Sequence, residues 1–268
     1  YEIRLSLVGS EMCIRDRLYI IITLPMISAT PDEWVANLLF YANWPPMKTT
    51  TMTSHFWSLC VEMQFYIGVA LLVGLLRQKG LMLLPVLCIA VTSYRAINEI
   101  HLAVNTYYRL DEILSGGVLA LVYNDRLGQA AKVLFRKLSP VVLIVLLGTA
   151  CHEASGFLNY FRPYLASLLV GWTLYNEKSR LSVWLNNKTL VYIGAISYAL
   201  YVIHPFFNHT WLGSGDGWEK YAKRPLYFAA VFVLAHMSTF HFEKHCIAFG
   251  KRLSAKYFKK TVVPKNAL

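Results

Sequence analysis

The sequence predicts an all-α fold, a polytopic bundle of transmembrane helices, and three observations support this prediction. Apolar residues make up 56% of the 268 residues and charged residues only 15%, against roughly 25% charged residues in soluble domains. The mean hydropathy is positive, at +0.42. Long stretches contain no Asp, Glu, Lys or Arg, as membrane-spanning helices require. These observations exclude a disordered chain and a small disulfide-stapled domain.

Successive apolar stretches predict about eight membrane helices. Several stretches are shorter than the roughly 18 residues that identify a membrane helix by themselves. They reach full length if a few charged side chains lie inside the helices and face the bundle interior, and Glu62, Arg109, Asp111 and Glu112 are such side chains. The predicted helices comprise residues 18–29, 57–76, 81–97, 107–123, 139–152, 161–175, 189–211 and 225–246.

The two ends of the chain are treated separately from the membrane domain. Residues 2–17 resemble a translated sequencing-adapter read-through, so residues 1–17 are excluded from the fold and we expect the natural N-terminal sequence to be missing. Residues 18–250 are predicted to form an integral membrane domain. Residues 251–268 form a basic tail.

Lysine and arginine are distributed unevenly between alternate loops, and this asymmetry predicts the orientation. One alternating set of loops, which includes the C-terminal segment, holds 16 basic residues, and the other set holds 6. Because basic residues accumulate in cytoplasmic loops, the first set and the C-terminus are predicted to be cytoplasmic. The accumulation of basic residues in cytoplasmic loops, together with contact with anionic membrane lipids, explains the net charge of +11. No nucleic-acid partner is expected.

This orientation places several embedded polar side chains toward the outer side of the membrane. Placing an ionisable side chain inside the membrane costs free energy, so each such side chain is a candidate for function. Ser197 and Tyr201 precede His204 by seven and three residues, which places all three on one helix face. The side chains that we expect to line one extracytoplasmic cavity are Glu62, Arg109, Asp111 and His204.

Four stretches of sequence resemble the motifs of one family. Residues 55–67 read HFWSLCVEMQFYI and resemble W-S-L-x-V-E-x-Q-F-Y, and residues 109–116 are similar to R-x-D-x-L-x-x-G. Residues 196–205 are similar to S-Y-x-L-Y-x-x-H-P, and residues 241–244 resemble a closing h-x-E-K-P, with His245 in place of the proline. Together they resemble the membrane-bound acyltransferase family 3, the O-acetyltransferase-like proteins. The sequence differs from the family motifs at two positions. Met63 stands where a second acidic residue is common, and Ile113 replaces a leucine.

The resemblance implies a multi-pass enzyme of a bacterial inner membrane. Such an enzyme transfers an acyl group, most often acetyl, from cytoplasmic acyl-CoA to a hydroxyl of an extracytoplasmic carbohydrate or cell-envelope acceptor. Acyl-CoA is then a donor substrate, and no permanently bound cofactor is implied. The family also has an essential histidine eleven positions after a basic residue in its first membrane helix. No such helix precedes Leu18, so we expect this chain to be the C-terminal part of an acyltransferase and inactive as printed.

Hypothetical catalytic roles are assigned to Glu62, Arg109, Asp111 and His204. Arg109, held by Asp111 or Glu62, would bind an anionic part of the donor or the developing oxyanion; the alternative is a structural ion pair. Glu62 would orient the missing histidine or shape the pocket, and the alternative is a hydrogen-bonding strut between helices. His204 would act as a second acid or base, or bind the acceptor.

Six neighbouring side chains are candidates for substrate binding. For the aromatic ones at positions 57, 66 and 198 the alternative is packing or a place at the membrane interface. The six candidates are Trp57, Ser58, Tyr66, Ser197, Tyr198 and Tyr201.

The sequence predicts neither a disulfide framework nor a metal site. The five cysteines contain no C-x-x-C pair and no histidine at zinc-ligand spacing from a cysteine pair. His241 and His245 are four residues apart, but the string HFEKH lacks the H-E-x-x-H order.

Two other functional classes stay open on the sequence alone. A secondary transporter would also place charged residues inside a helical bundle, although it would be expected to contain repeated halves. In a non-catalytic membrane scaffold, the same polar groups would only fasten helices together.

Overall fold

A computed structural model describes residues 5–243 together with residues 245, 246, 248 and 252, and it describes side chains from residue 14 onward except at Glu153. The predicted basic tail therefore lies outside the described residues, apart from residue 252. Within the described part the regular elements are helical, which confirms the all-α prediction.

The α-helices follow one another through short turns and 3₁₀-helical segments. A π-helical turn, Ser238–Glu243, continues the last α-helix. The α-helices are α1 (Leu5–Met26), α2 (Pro31–Leu38), α3 (Trp57–Leu76), α4 (Leu84–Ile97), α5 (Thr106–Tyr123), α6 (Gln129–Lys137), α7 (Pro140–Ala150), α8 (Arg162–Tyr175), α9 (Arg180–Leu185), α10 (Lys188–Asn208) and α11 (Gly217–Met237).

The helices divide into two compact units. Thr30–Asn187 forms one unit, called here the central unit, and the described residues before Thr30 and from Lys188 onward form the terminal unit. The central unit contains α2 to α9, and the terminal unit contains α1, α10 and α11.

The central unit is built on apolar contacts around α5 and α8. Leu84 and Cys88 of α4 pack with Leu114 and Leu121 of α5 in one buried cluster. A second buried cluster joins α7 to α8, and Phe135 of α6 packs between α5 and α8. Burial of these side chains fixes the helices that carry the charged residues described below.

The terminal unit packs α10 against α1 and α11. Ile196 and Ala199 of α10 are fully buried with Ala235 of α11. Helix α1 runs without a break through residue 17. The prediction that residues 1–17 do not belong to the fold stays a prediction.

Within the described residues, three helical stretches are long and apolar enough to cross a membrane: Ser54–Ile97, Lys188–Asn208 and Gly217–Glu243. A fourth arises if α6 and α7, which are bent by 89° at a short break, cross as one span. Several predicted helices have the expected positions, and α3 has the expected bounds, but eight membrane helices are not shown.

Helix length and charge explain this difference. Helix α4 and helix α8 have 14 residues each and α7 has 11. At 1.5 Å per residue, 14 residues extend only about 21 Å, against the roughly 30 Å of a bilayer core. Helix α5 has 18 residues but carries three charged side chains, Arg109, Asp111 and Glu112.

Candidate active site

The start of α3 carries four of the predicted site residues. Trp57 and Ser58 lie in its first turn, and Ser58 Oγ donates to the carbonyl oxygen of His55 at 3.3 Å. The hydroxyl of Tyr66 donates to Glu62 Oε1 at 2.6 Å. The four-residue spacing places Glu62 and Tyr66 on one face of the helix. Glu62 is therefore a half-buried carboxylate held by a phenol from its own helix.

Arg109 lies in the first turn of α5 and is buried. Its Nε donates to the carbonyl oxygen of Ala103 at 2.6 Å, and its Nη1 pairs with Glu112 Oε1 at 2.5 Å. Arg162, at the start of α8, pairs with the same Glu112 oxygen. The guanidinium of Arg109 also lies over the ring of Trp57, 5.3 Å from its centroid. Two guanidinium groups thus share one carboxylate, so the group of three carries one net positive charge.

The predicted pairing of Arg109 with Asp111 or Glu62 is wrong. Asp111 Oδ2 pairs with Nη1 of Arg95 at 2.8 Å, and the side chains of Arg95 and Asp111 are 1% and 0% exposed. Helical geometry explains the change of partner. Residues two apart on a helix do not face each other, whereas Glu112, three residues after Arg109, does face it.

Asp111 also belongs to a chain of hydrogen bonds that ties α4, α5 and α8 together. Thr92 Oγ1 donates to Asp111 Oδ2 at 3.0 Å and lies 2.8 Å from the hydroxyl oxygen of Tyr164. Cys88 Sγ lies 3.5 Å from the same Tyr164 oxygen. Among the described residues, no hydrogen-bond partner reaches the buried Oδ1 of Asp111. A buried carboxylate oxygen without a hydrogen bond lowers the stability of the fold.

A second network fastens the segment before α3. Asn43 is fully buried; its Nδ2 donates to Thr106 Oγ1 at 2.9 Å, and its Oδ1 accepts from Gln64 Nε2 at 3.1 Å. Gln64 Oε1 accepts from Trp44 Nε1 at 2.7 Å and from Thr106 Oγ1 at 2.6 Å. These bonds fix the N-terminal half of α3 relative to the start of α5, and these two segments carry Glu62 and Arg109.

An exposed ion pair holds the N-terminal end of α2, outside the candidate membrane spans. Lys48 Nζ donates to Asp32 Oδ2 at 2.6 Å. This hydrogen bond lowers the pKa of Asp32 from its ordinary value of 3.8 and raises the pKa of Lys48 from 10.5. Thr30 and Glu33 cap the same helix end with reciprocal hydrogen bonds.

The terminal unit carries the remaining predicted residues. His204 Nδ1 lies 2.8 Å from the carbonyl oxygen of Tyr201. A carbonyl oxygen only accepts, so Nδ1 is the donor in this contact. Tyr198 donates to Asp16 Oδ1 at 2.5 Å, and Ser197, which is exposed, donates to the carbonyl oxygen of Gly194.

The predicted site residues therefore fall into both units. Glu62, Arg109 and Asp111 lie in the central unit, and His204 lies in the terminal unit. A single cavity lined by all four stays a prediction.

Comparison with known families gives the affiliation of the chain. A family model described as an acyltransferase domain matches residues 18–237, most of the chain. The chain belongs to the acyltransferase 3 family. Searches of curated proteins and of solved structures found no match.

Sequence reasoning missed three side chains that organise the site of this acyltransferase 3 family member: Arg95, Arg162 and Gln64. Arg95 and Arg162 lie within the predicted helices 81–97 and 161–175, but neither was predicted to be a site residue. Arg95 lies in the last turn of α4 and is buried. A signal for it was present, since an arginine within an apolar helix requires a partner. Gln64 belongs to the W-S-L-x-V-E-x-Q-F-Y-like stretch. Its hydrogen bond to Asn43 joins residues 21 positions apart, so only the folded structure shows it.

The described part of this family member contains no group of three or more His, Cys, Asp or Glu side chains that could hold a metal ion. The described cysteines at positions 60, 88, 151 and 246 are all free thiols.

Proposed function

We propose that the protein is an integral membrane O-acyltransferase of a bacterial inner membrane. It transfers an acyl group, most simply acetyl, from cytoplasmic acyl-CoA to a hydroxyl group of an extracytoplasmic carbohydrate or cell-envelope acceptor. Family membership over residues 18–237 is the observation that carries this proposal. The arrangement of charged groups at the starts of α3 and α5 supports the assignment of roles.

The reaction needs a base and a group that stabilises negative charge. The base removes the proton of the acceptor hydroxyl, and the oxygen attacks the thioester carbonyl carbon. The carbon–sulfur bond then breaks, the ester bond forms, and the proton passes to the departing coenzyme A thiolate. The carbonyl oxygen carries negative charge during this step, and a positioned cation lowers the barrier.

Arg109 is suited to stabilise that oxygen. Glu112 and Trp57 hold its guanidinium in place, and the Arg109–Glu112–Arg162 group retains one net positive charge. Glu62 is suited to accept a hydrogen bond from the catalytic base or from the acceptor, since Tyr66 already fixes one of its oxygens. Asp111, paired with Arg95, acts as a positioning residue for α5.

His204 is proposed as an acid or base of the same reaction. Its Nδ1 donates to the backbone carbonyl oxygen of Tyr201, which fixes the orientation of the ring, and an imidazole can serve as a general acid or base. We also propose that a histidine encoded upstream of Leu18 supplies the principal base, as the family resemblance implies.

The shorter helices are proposed to lie within the membrane as well. Val141 and Val145 of α7 are 67% and 58% exposed, and Val86 and Ile89 of α4 are 63% and 61% exposed. Contact of such apolar side chains with lipid is favourable in free energy, whereas their contact with water is unfavourable. Helix α5 can also lie in the membrane, because its charged side chains are paired. Together these helices bring the number of proposed membrane helices closer to the predicted eight.

Transfer of radiolabel from acetyl-CoA tests the proposed function. Membranes from cells that express the chain are incubated with acetyl-CoA labelled in the acetyl group, and membrane glycans are extracted. Label that mild alkali releases is ester-bound, whereas amide-bound label survives. The chain is expressed as printed and also with the coding sequence that precedes Leu18 in its locus.

The expected result is alkali-labile label with the extended chain and little with the printed chain. Label with the printed chain alone would overturn the proposal of an upstream base and leave the acyltransferase proposal standing. No label with either form would contradict the acyltransferase proposal. Sodium- or proton-coupled solute uptake by the same membranes would then favour a transporter.

A further inference from the structure

A polar cleft lies at the junction of α6, α8 and α9 in the central unit. Its volume is about 500 Å³. Arg136 from the last turn of α6 lines one side, and residues 174–179, which lead from α8 to α9, line the other. Arg136 and residues 176–179 lie in the loops that the distribution of basic residues predicts to be cytoplasmic, and Leu174 and Tyr175 form the adjoining end of α8.

The cleft contains cations that the protein itself leaves unpaired. Elsewhere in the central unit, basic side chains such as Lys132 and Arg162 pair with carboxylates. In the described part of the chain, neither Arg136 nor Lys178 has a salt-bridge partner. Glu177 is the acidic residue of the lining.

The walls of the cleft are held in place by aromatic packing. The ring of Tyr175 stacks on Phe135 of α6 with centroids 5.5 Å apart and an interplanar angle of 23°. Phe135 is buried, and the backbone of Gly171 lies against its ring. The end of α6 is therefore fastened to α8, so Arg136 is carried on a packed element. Preorganised cations of this kind lose little freedom on binding an anion.

We propose that this cleft binds the phosphate groups of the coenzyme A part of the acyl donor. The inference rests on the proposed function, because that function brings a phosphate-bearing donor to the cytoplasmic face. A guanidinium binds phosphate oxygens with two parallel hydrogen bonds, and a lysine adds a point charge. The side chains of Asn176 and Ser179 in the same lining offer polar contacts, and Leu174 and Tyr175 offer apolar surface for the base.

An anionic lipid headgroup would offer the same phosphate chemistry. The experiment therefore uses the full chain in nanodiscs of phosphatidylcholine, which has no net charge. Binding of coenzyme A and of pantetheine, which lacks the phosphates, is measured by equilibrium dialysis. The variants are Arg136→Gln, Lys178→Gln and Glu177→Gln. The matched control is Lys79→Gln, an exposed basic residue of the same face outside the cleft.

We expect Arg136→Gln to weaken coenzyme A binding about tenfold and Lys178→Gln about threefold. Glu177→Gln should strengthen it, since a repelling carboxylate is removed, and Lys79→Gln should leave it within twofold. Pantetheine should bind all forms equally weakly. Equal elution of the variants in gel filtration establishes that they are folded, and Lys178, which is exposed, provides a second variant that does not disturb packing.

The inference is overturned if the parent chain does not bind coenzyme A, or if the affinity for coenzyme A is equal in all variants. If the cleft variants lost only their capture by phosphatidylglycerol vesicles, the ligand would be a lipid headgroup and the inference would also fall. Failure of the proposed function is distinguishable from either result. It would appear as coenzyme A binding that depends on Arg136, without any label transferred to glycan.

Discussion

Arg95 and Asp111 form the most deeply buried ion pair among the described residues, with 1% and 0% of their side chains exposed. Their charges stabilise each other only while both are present, because either charge alone would be buried without compensation. Thr92 adds a further hydrogen bond to the same carboxylate oxygen. The pair therefore fixes the position of α5, on which Arg109 lies.

The single change Arg95→Met is expected to destabilise the protein by about 3–5 kcal/mol, because it leaves the Asp111 carboxylate unpaired. The double change Arg95→Met/Asp111→Leu should recover most of that loss. The free energy of unfolding in detergent measures both effects, with Lys79→Met as the exposed control. A double variant no more stable than the single one would contradict the pairing.

Arg109 is expected to act on the transition state rather than on substrate binding. Because lysine keeps the charge but loses the planar guanidinium geometry, Arg109→Lys should lower kcat by about 10²–10³-fold with little change in KM. Steady-state kinetics of acetyl transfer by the extended chain measure both constants, with Arg162→Lys for comparison. An unchanged kcat together with a lower yield of folded protein would assign Arg109 a purely structural role.

At the scale of elements, hydrophobic patterning predicted where most helices lie. The bounds of α3 agree with the prediction, and those of α5 and α8 differ by one residue at their first position. These helices are marked in the sequence by changes from polar to apolar composition. Helix α9 and the amphipathic α6 were not predicted, because short helices at charged turns carry little hydrophobic signal.

The α2 segment is expected to loosen as the pH falls. Its Asp32 has a pKa lowered from 3.8 by Lys48, so the pair contributes stability above pH 3.8 that is lost as the pH falls through the lowered value. Because the pKa of Lys48 is raised from 10.5, the pair is also lost in strong alkali, as the pH rises through that raised value.

Hydrogen exchange of the α2 amides, corrected for intrinsic rates, measures this loosening. Protection should be constant near neutral pH and fall below pH 3.8 in the parent chain. The Asp32→Asn variant should show lower protection at neutral pH and a smaller further fall in that range, since the cap formed by Glu33 remains. Identical profiles for the two proteins would contradict the role of the pair.

At the scale of the whole molecule, the sequence predicted the fold class and the family more fully than the site. Patterning and motifs are local, so they identified α3, α5 and α10 and the residues on them. The partner of Asp111 is 16 residues away and on another helix, so no local pattern could pair Asp111 with Arg95. By contrast, helical spacing alone favours Glu112 over Asp111 as the partner of Arg109, since residues two apart do not share a helix face.

The central claim is that an acyl group leaves a cytoplasmic donor and reaches an acceptor on the other side of the membrane. Sealed inverted vesicles carrying the extended chain test it most directly, because their cytoplasmic face is outside and acetyl-CoA cannot enter. Acetyl-labelled acetyl-CoA is added outside, and ester-bound label is measured on glycan inside the vesicles. We expect alkali-labile label within the lumen, and less of it with the Arg109→Lys variant. Label that appears only when acetyl-CoA is enclosed with the acceptor would contradict it.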